Sequence, residues 1–291
     1  MEKNINIFLN GYGGYASYLW NDITNPTWKS YFWWLIIVSL FFLVLEVIIP
    51  WRKKQEVLRK DFWLDGFYMF FNFFIFSLII YNAASDVIVN LFNDGISAIS
   101  SGFDLQASNP MNGWPLWLIL VIGFFVRDFV QWWVHRLLHR SDRLWEFHKV
   151  HHSVAEMGFA AHLRYHWMET VVYRTLEYLP LALVGFGIDD FILVHLFTLT
   201  MGHFNHSNIF IPLGVFKYIF NNPQMHIWHH GKKTPNKFGV NFGLTLSVWD
   251  YLFKTNYIPS NGRDIELGFE NDENFPKNFI SQEIYPLGRK K

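Results

Sequence analysis

The chain contains no cysteine. That excludes disulfides, a thiolate nucleophile and a cluster held on cysteine sulfur. Charge is also scarce: 16% of residues are Asp, Glu, Lys or Arg, and the formal net charge is zero. No basic stripe interleaved with aromatics is present beyond one short loop, so nothing points to nucleic acid. The zinc-peptidase signature HExxH is missing, as is the ExxH element of soluble carboxylate-bridged di-iron bundles. No flavin or nicotinamide fingerprint appears, so electrons for any redox step come from outside the chain. A basic stretch followed by a short apolar run and a cleavage site is not seen at the N-terminus, and no removable signal peptide is expected.

What the chain has in excess is apolar and aromatic character, 51% and 20% of 291 residues. It comes in blocks. One runs from Tyr31 to Pro50 and is broken only by Glu46; the second runs from Phe67 to Tyr81 and continues more weakly to Phe92; the third runs from Trp114 to Val134. About 20 apolar residues in a helix cross a bilayer core of about 30 Å, so all three reach spanning length. Residues 170–204 hold two shorter apolar runs around "GFGIDD" and are expected to form a hairpin that just spans or re-enters. The expected fold is therefore all-α, with about four membrane spans, one of them the short hairpin, under a histidine-rich helical cap. Residues 1–134 form the membrane region, 135–258 the histidine region including the hairpin, and 259–291 a polar tail.

Lys and Arg set the orientation. "WRKKQEVLRK", residues 51–60, holds five basic residues; the 93–113 loop holds none; Arg136, Arg140 and Arg143 follow the third block. Positive loops stay inside, which puts the N-terminus outside and the region after Val134 in the cytosol, apart from the hairpin.

Ten of the thirteen histidines fall in four groups: His135 and His139; His148, His151 and His152; His203 and His206; His226, His229 and His230. Positions i, i+3 and i+4 share a helix face, so each HxxHH aims its outer pair at one point with the middle residue offset. So many neighbouring imidazoles cannot all be charged, and neutral imidazole is the commonest side-chain metal ligand. One ion needs three or four ligands, so eight to ten imidazoles match two neighbouring ions. Imidazole suits zinc, copper, iron and nickel alike, and ligand type does not name the element.

The order HxxxH, HxxHH, HxxH, HxxHH, with the flanks "DFVQWWVHRLLHRSDRLWEFHKVHHS" (128–153), "FNHSNI" (204–209) and "WDYLFKT" (249–255), resembles the fatty acid hydroxylase and sterol desaturase superfamily of integral-membrane di-iron oxygenases. The resemblance covers Asp128 to Thr255 at motif level. It implies two iron ions held by His135, His139, His148, His151, His152, His226, His229 and His230, with His206 and His203 completing the set. It further implies O₂ as co-substrate, a membrane lipid whose C–H bond is hydroxylated or desaturated, and an external donor such as a ferredoxin or a b-type cytochrome with its reductase.

Arg164, His166 and Glu169 lie where the family has an Arg, His, Pro, Glu pattern, although Trp167 takes the proline position. These three, with Asp128, Asn205 and Asp250, are expected behind the ligands or facing substrate. Asp128 lies about 10.5 Å from His135 along a helix, so it would serve a ligand on another segment. Trp132, Trp133, Trp145 and Trp228 read as an aromatic roof or as interfacial anchors. His195 is expected to be dispensable for metal. The alternative function class is a histidine-rich membrane protein that binds or transports metal. Such a protein should place ionisable groups through the middle of several spans.

Overall fold

A computed structural model describes residues 2–99, 113–183 and 188–287. The fold is all-α. Among the described residues the only extended pairings are isolated bridges, Pro50 to Ile209, Phe220 to Leu246 and Gly231 to Leu267. In chain order the helices are α1 Glu2–Thr24, α2 Tyr31–Ile48, α3 Phe62–Phe70, α4 Asn82–Ile99, α5 Leu116–Arg140, α6 Asp142–His152, α7 Trp167–Leu183, α8 Ile188–His206, α9 Pro223–His229, α10 Val248–Leu252 and α11 Phe279–Ile284. Two π-helical turns, Phe71–Ile75 and Ser77–Tyr81, join α3 to α4 into one long rod.

Three helical segments are long and apolar enough to cross a membrane: Tyr31–Ile48, Phe62–Ile79 and Leu116–Arg140. Helix α2 shows how lipid acts as solvent. Ile37, Leu40, Phe41, Val44, Val47 and Ile48 form an exposed stripe at helical spacing, while Leu35, Val38, Phe42 and Glu46 face the protein. Helices α7 and α8 occupy the region of the expected hairpin and are shorter or more polar than those three; residues 184–187, which include the Gly-Phe-Gly of "GFGIDD", lie outside the described residues.

The third span is longer than its apolar block suggests. Helix α5 continues six residues past Val134, so His135 and His139 ride on the end of a membrane helix. Ser141 stops it and caps α6, accepting from the Leu144 amide.

Buried ions tie the cap to the spans. Asp65, at the start of α3, accepts from Arg59 and Arg164 at 2.5 and 3.1 Å, with all three side chains almost completely buried. Glu46 of α2 accepts from the backbone amides of Phe159 and Asn208, both at 2.8 Å. The segment after Pro259 is packed against the cap: Leu267, Phe269 and Phe275 are buried, and Gln282 of α11 accepts from the Tyr68 hydroxyl at 2.9 Å.

Candidate metal centre

Nine of the ten grouped histidines converge into two sets. His135, His139, His148, His152 and His229 form one, and His151, His206, His226 and His230 the other; within each set the ligand atoms lie within 4.8 Å of one another and every residue is buried. The outer pair of each HxxHH motif does share a set. The middle residue crosses to the other set: His151 leaves the set of His148 and His152, and His229 leaves that of His226 and His230. The two sets touch, with His152 and His230 rings stacked at 4.4 Å and His229 and His226 at 5.1 Å.

The ring nitrogens show why the convergence favours a cation. A carbonyl or a carboxylate only accepts, so the nitrogen facing it carries the proton. His135 Nδ1 donates to the Phe242 carbonyl at 2.8 Å, His229 Nδ1 to Val240 at 2.8 Å, His151 Nδ1 to Arg164 at 3.0 Å and His206 Nδ1 to Gly202 at 2.8 Å. His148 Nδ1 donates to the Glu169 carboxylate at 2.7 Å. In all five rings Nε2 is left with a lone pair. Those lone pairs face one another: His135 and His148 Nε2 are 3.2 Å apart, and His151 and His206 Nε2 are 3.3 Å apart. His226 Nε2 lies 3.0 Å from His206 and 3.2 Å from His230, and His152 and His229 Nε2 are 3.1 Å apart. Bare lone pairs at such distances repel. An ion with bonds of about 2.0–2.1 Å to imidazole nitrogen would hold tetrahedrally placed donors roughly 3.3 Å apart. The donor set therefore fits two metal ions.

Burial also keeps the rings neutral. Desolvation, followed by the neighbouring imidazoles, holds His148, His152, His226, His229 and His230 well below the ordinary histidine value, and His151 is pushed down to about 3.

His203 stands outside both sets. Its Nδ1 lies 3.0 Å from His162 Nδ1 and its Nε2 3.1 Å from the Ser39 hydroxyl, because it is one turn earlier than His206 on α8 and faces α2. His162 is seated over Gly202, where a Cβ would lie 2.0 Å from its Nε2. His195 is more distant still, with its ring against Tyr31 and Phe73.

The residues expected behind the ligands divide. Glu169 touches a ligand directly, through His148. Arg164 does so through its backbone carbonyl, while its guanidinium reaches Asp65 and, at 2.9 Å, the Ser153 hydroxyl. Asp250 acts one step removed: it accepts from the Phe242 and Gly243 amides at 2.9 and 2.8 Å and from Trp132 Nε1 at 3.1 Å, fixing the loop that offers its carbonyl to His135. Asp128 is a correction. Its carboxylate accepts from Trp249 Nε1 at 2.8 Å, an indole rather than an imidazole, so it clamps α5 to α10. Its neighbour Arg127 pairs with Glu177 at 3.1 Å, in keeping with the roughly 100° between consecutive helix positions. Asn205 donates to the Leu244 carbonyl, and His166 accepts from the Met168 amide; neither meets a grouped histidine. The tryptophans form no common roof. Trp132 is fully buried, Trp133 is exposed, Trp228 donates to the Ser260 carbonyl, and Trp145 lies against three grouped rings, 4.9 Å from His139, 5.1 Å from His152 and 6.0 Å from His148.

A cavity of about 130 Å³ reaches the sets from the membrane side, lined near them by His135, His148, His151, His206 and His226 and further in by Gln131, Tyr173, Thr198 and Leu199. Arg127, Glu177, Arg174 and His195 line it as well, groups that sequence reading left without a role. The carbonyls of Val240, Phe242, Arg164 and Gly202 were also missed, because backbone carries no residue signal.

Fold and site together define an all-helical protein with segments long and apolar enough to cross a membrane and two adjoining imidazole sets that could hold metal. Residues 120–255, which hold every histidine of both sets, match the fatty acid hydroxylase family. The chain is 30% identical to an ornithine lipid hydroxylase of Rhizobium tropici over 61% of its own length and 53% of the relative's. It is 28% identical to an alkylglycerol monooxygenase of Xenopus tropicalis over 75% of this chain and 45% of that one. It is 30% identical to a very-long-chain aldehyde decarbonylase of Oryza sativa over 47% and 45%. The chain spans about half the length of these curated relatives. No solved structure matches it.

Proposed function

We propose that the protein is a membrane-bound di-iron oxygenase that hydroxylates a lipid C–H bond with O₂ and externally supplied electrons. The reading rests on one observation above the others: five imidazoles whose proton is fixed on Nδ1 turn unprotonated Nε2 atoms toward two common points. His135, His139, His148, His152 and His229 would hold one iron, and His151, His206, His226 and His230 the second; His203 positions His162 and takes no metal. Irons held by these two sets would, once reduced, supply electrons for activating O₂ toward an unactivated C–H bond.

The chain's own residues do the rest. The four carbonyls and Glu169 orient the rings and raise their donor strength. Leu199, Leu244 and the aromatic wall exclude water from the reacting end of the cavity. Gln131, one helical turn from His135, faces the cavity with its amide oxygen buried and unpartnered, where it would accept a hydrogen bond from a polar group of the lipid. The hydroxylases and monooxygenases among the relatives act on lipids by name, which favours a lipid here. Histidines at the 51–60 side of the spans favour a cytosolic centre under the positive-inside rule. The division into a membrane region (1–134), a histidine region (135–258) and a C-terminal segment fits the same reading.

Metal analysis combined with O₂ uptake tests it. Two tightly held irons per chain, and O₂ consumption when dithionite and membrane lipid are added, are expected. Metal that exchanges freely, without O₂ uptake, would instead indicate the metal-carrier reading.

A further inference from the structure

A second opening reaches the five-histidine set and shares no lining residue with the first cavity. It is a cleft of about 570 Å³ with His139, His152 and His229 at its floor, Trp145 on its wall and the loop Lys232–Gly239 along its rim. The rim is basic. Lys232 is occupied by Glu266 and Asp272, and Lys149 by Glu146. Lys233, Lys237 and Arg140 have no ion pair among the described residues, and Lys237 and Arg140 flank the Phe238 ring at 4.7 and 5.2 Å. Glu270 is the exposed acid of the facing wall.

This rim is joined to the histidines by its own backbone. A Cβ on Gly239 would lie 3.0 Å from His139 Nδ1; the next carbonyl, Val240, takes the proton of His229; two residues on, Phe242 takes that of His135. One stretch of ten residues, Lys233 to Phe242, thus runs from two surface cations to three imidazoles of a single set.

We propose that the Lys233–Phe238 rim is the docking surface for an acidic one-electron carrier protein, which delivers electrons through the Gly239–Phe242 backbone. The inference rests on the oxygenase reading above. The balance is RH + O₂ + 2 e⁻ + 2 H⁺ giving ROH + H₂O, with one electron from each of two reduced carriers in succession. The first cavity and this cleft have no lining residue in common, so carrier and lipid would not compete for access. Unpaired rim cations complement an acidic partner and favour encounter at low salt.

Two probes test it on the full-length protein in detergent: an acidic [2Fe–2S] ferredoxin and the soluble domain of an acidic b-type cytochrome. Binding is measured on metal-free and metal-loaded protein across ionic strength. At least one probe is expected to bind, more weakly as salt rises, and the double variant Lys233→Glu, Lys237→Glu is expected to lose roughly ten-fold or more in affinity. The control Lys53→Glu, Lys54→Glu, on the other basic loop, is expected to bind within about two-fold of wild type. Both variants should keep metal content and O₂ uptake driven by reduced methyl viologen. Binding by neither probe, unchanged affinity in the rim variant, or equal loss in the control would overturn the proposal. Failure of methyl viologen to drive O₂ uptake in wild type would count against the oxygenase reading, and the binding measurements would still decide the surface.

Discussion

The spans and the histidine cap are built with opposite interiors. Helix α2 turns a continuous apolar stripe outward and keeps its one acid, Glu46, inside; the cap buries nine imidazoles, Arg164 and Asp250, and its Arg164 reaches Asp65 at the start of the second span. In the spans lipid is an adequate solvent for side chains, so outward positions carry little structural information and most of the packing is one-sided. In the cap each buried polar group is costly unless it is partnered, so partners determine the geometry residue by residue. Errors of composition should therefore be tolerated on the outside of α2 and poorly tolerated at the cap.

The largest contrast is at the charges. Asp65→Ala leaves two buried guanidiniums without their shared carboxylate and should cost about 3–5 kcal/mol, seen as a large fall in melting temperature in detergent. His151→Ala or His229→Ala should abolish turnover and lower metal content, read by elemental analysis, whereas His195→Ala should leave metal content at the wild-type level. Phe42→Ala, on the buried face of α2, is expected to lose about 3–5 kcal/mol by thermal unfolding, while Leu40→Ala, two residues earlier on the lipid face, should stay within about 0.5 kcal/mol. Similar losses at both positions would erase the contrast. Glu169→Gln removes the anion behind His148 but keeps an acceptor, and metal affinity should fall about 10- to 100-fold in a chelator competition.

The smallest effect per group comes from protons. In metal-free protein the cap histidines have folded pKa values below the unfolded 6.5, and His151 is held near 3. The unfolded chain therefore takes up protons first as pH falls. Stability is fully present above about pH 6.5 and declines toward pH 3, by at most about 1.4 kcal/mol per pH unit for each histidine. Melting of metal-free protein from pH 8 to pH 4 checks the sign; a rise on acidification would contradict it.

The apolar segments, the all-helical class and the family resemblance were legible because hydrophobic blocks and histidine spacing are local signals. Partition of the histidines between the two sets was only half legible. Helical spacing showed that His148 and His152 share a face, but whether His151 serves their ion or another depends on where α8 and α9 pack. Asp128 misled for a related reason: a buried acid in a histidine-rich protein suggests an imidazole partner, and the indole of Trp249 arrives from 121 residues away. Gly202 and Gly239 could have been noticed as small residues beside histidines, yet what they make room for appears only when distant segments meet.

The crossing of each motif's middle histidine has a mechanical consequence. A helix that feeds both ions cannot shift to suit one without straining the other, so α6 and α9 act as a yoke. Substitutions anywhere along either helix should disturb the pair together, and a variant with one ion correctly seated and its neighbour lost will be hard to obtain.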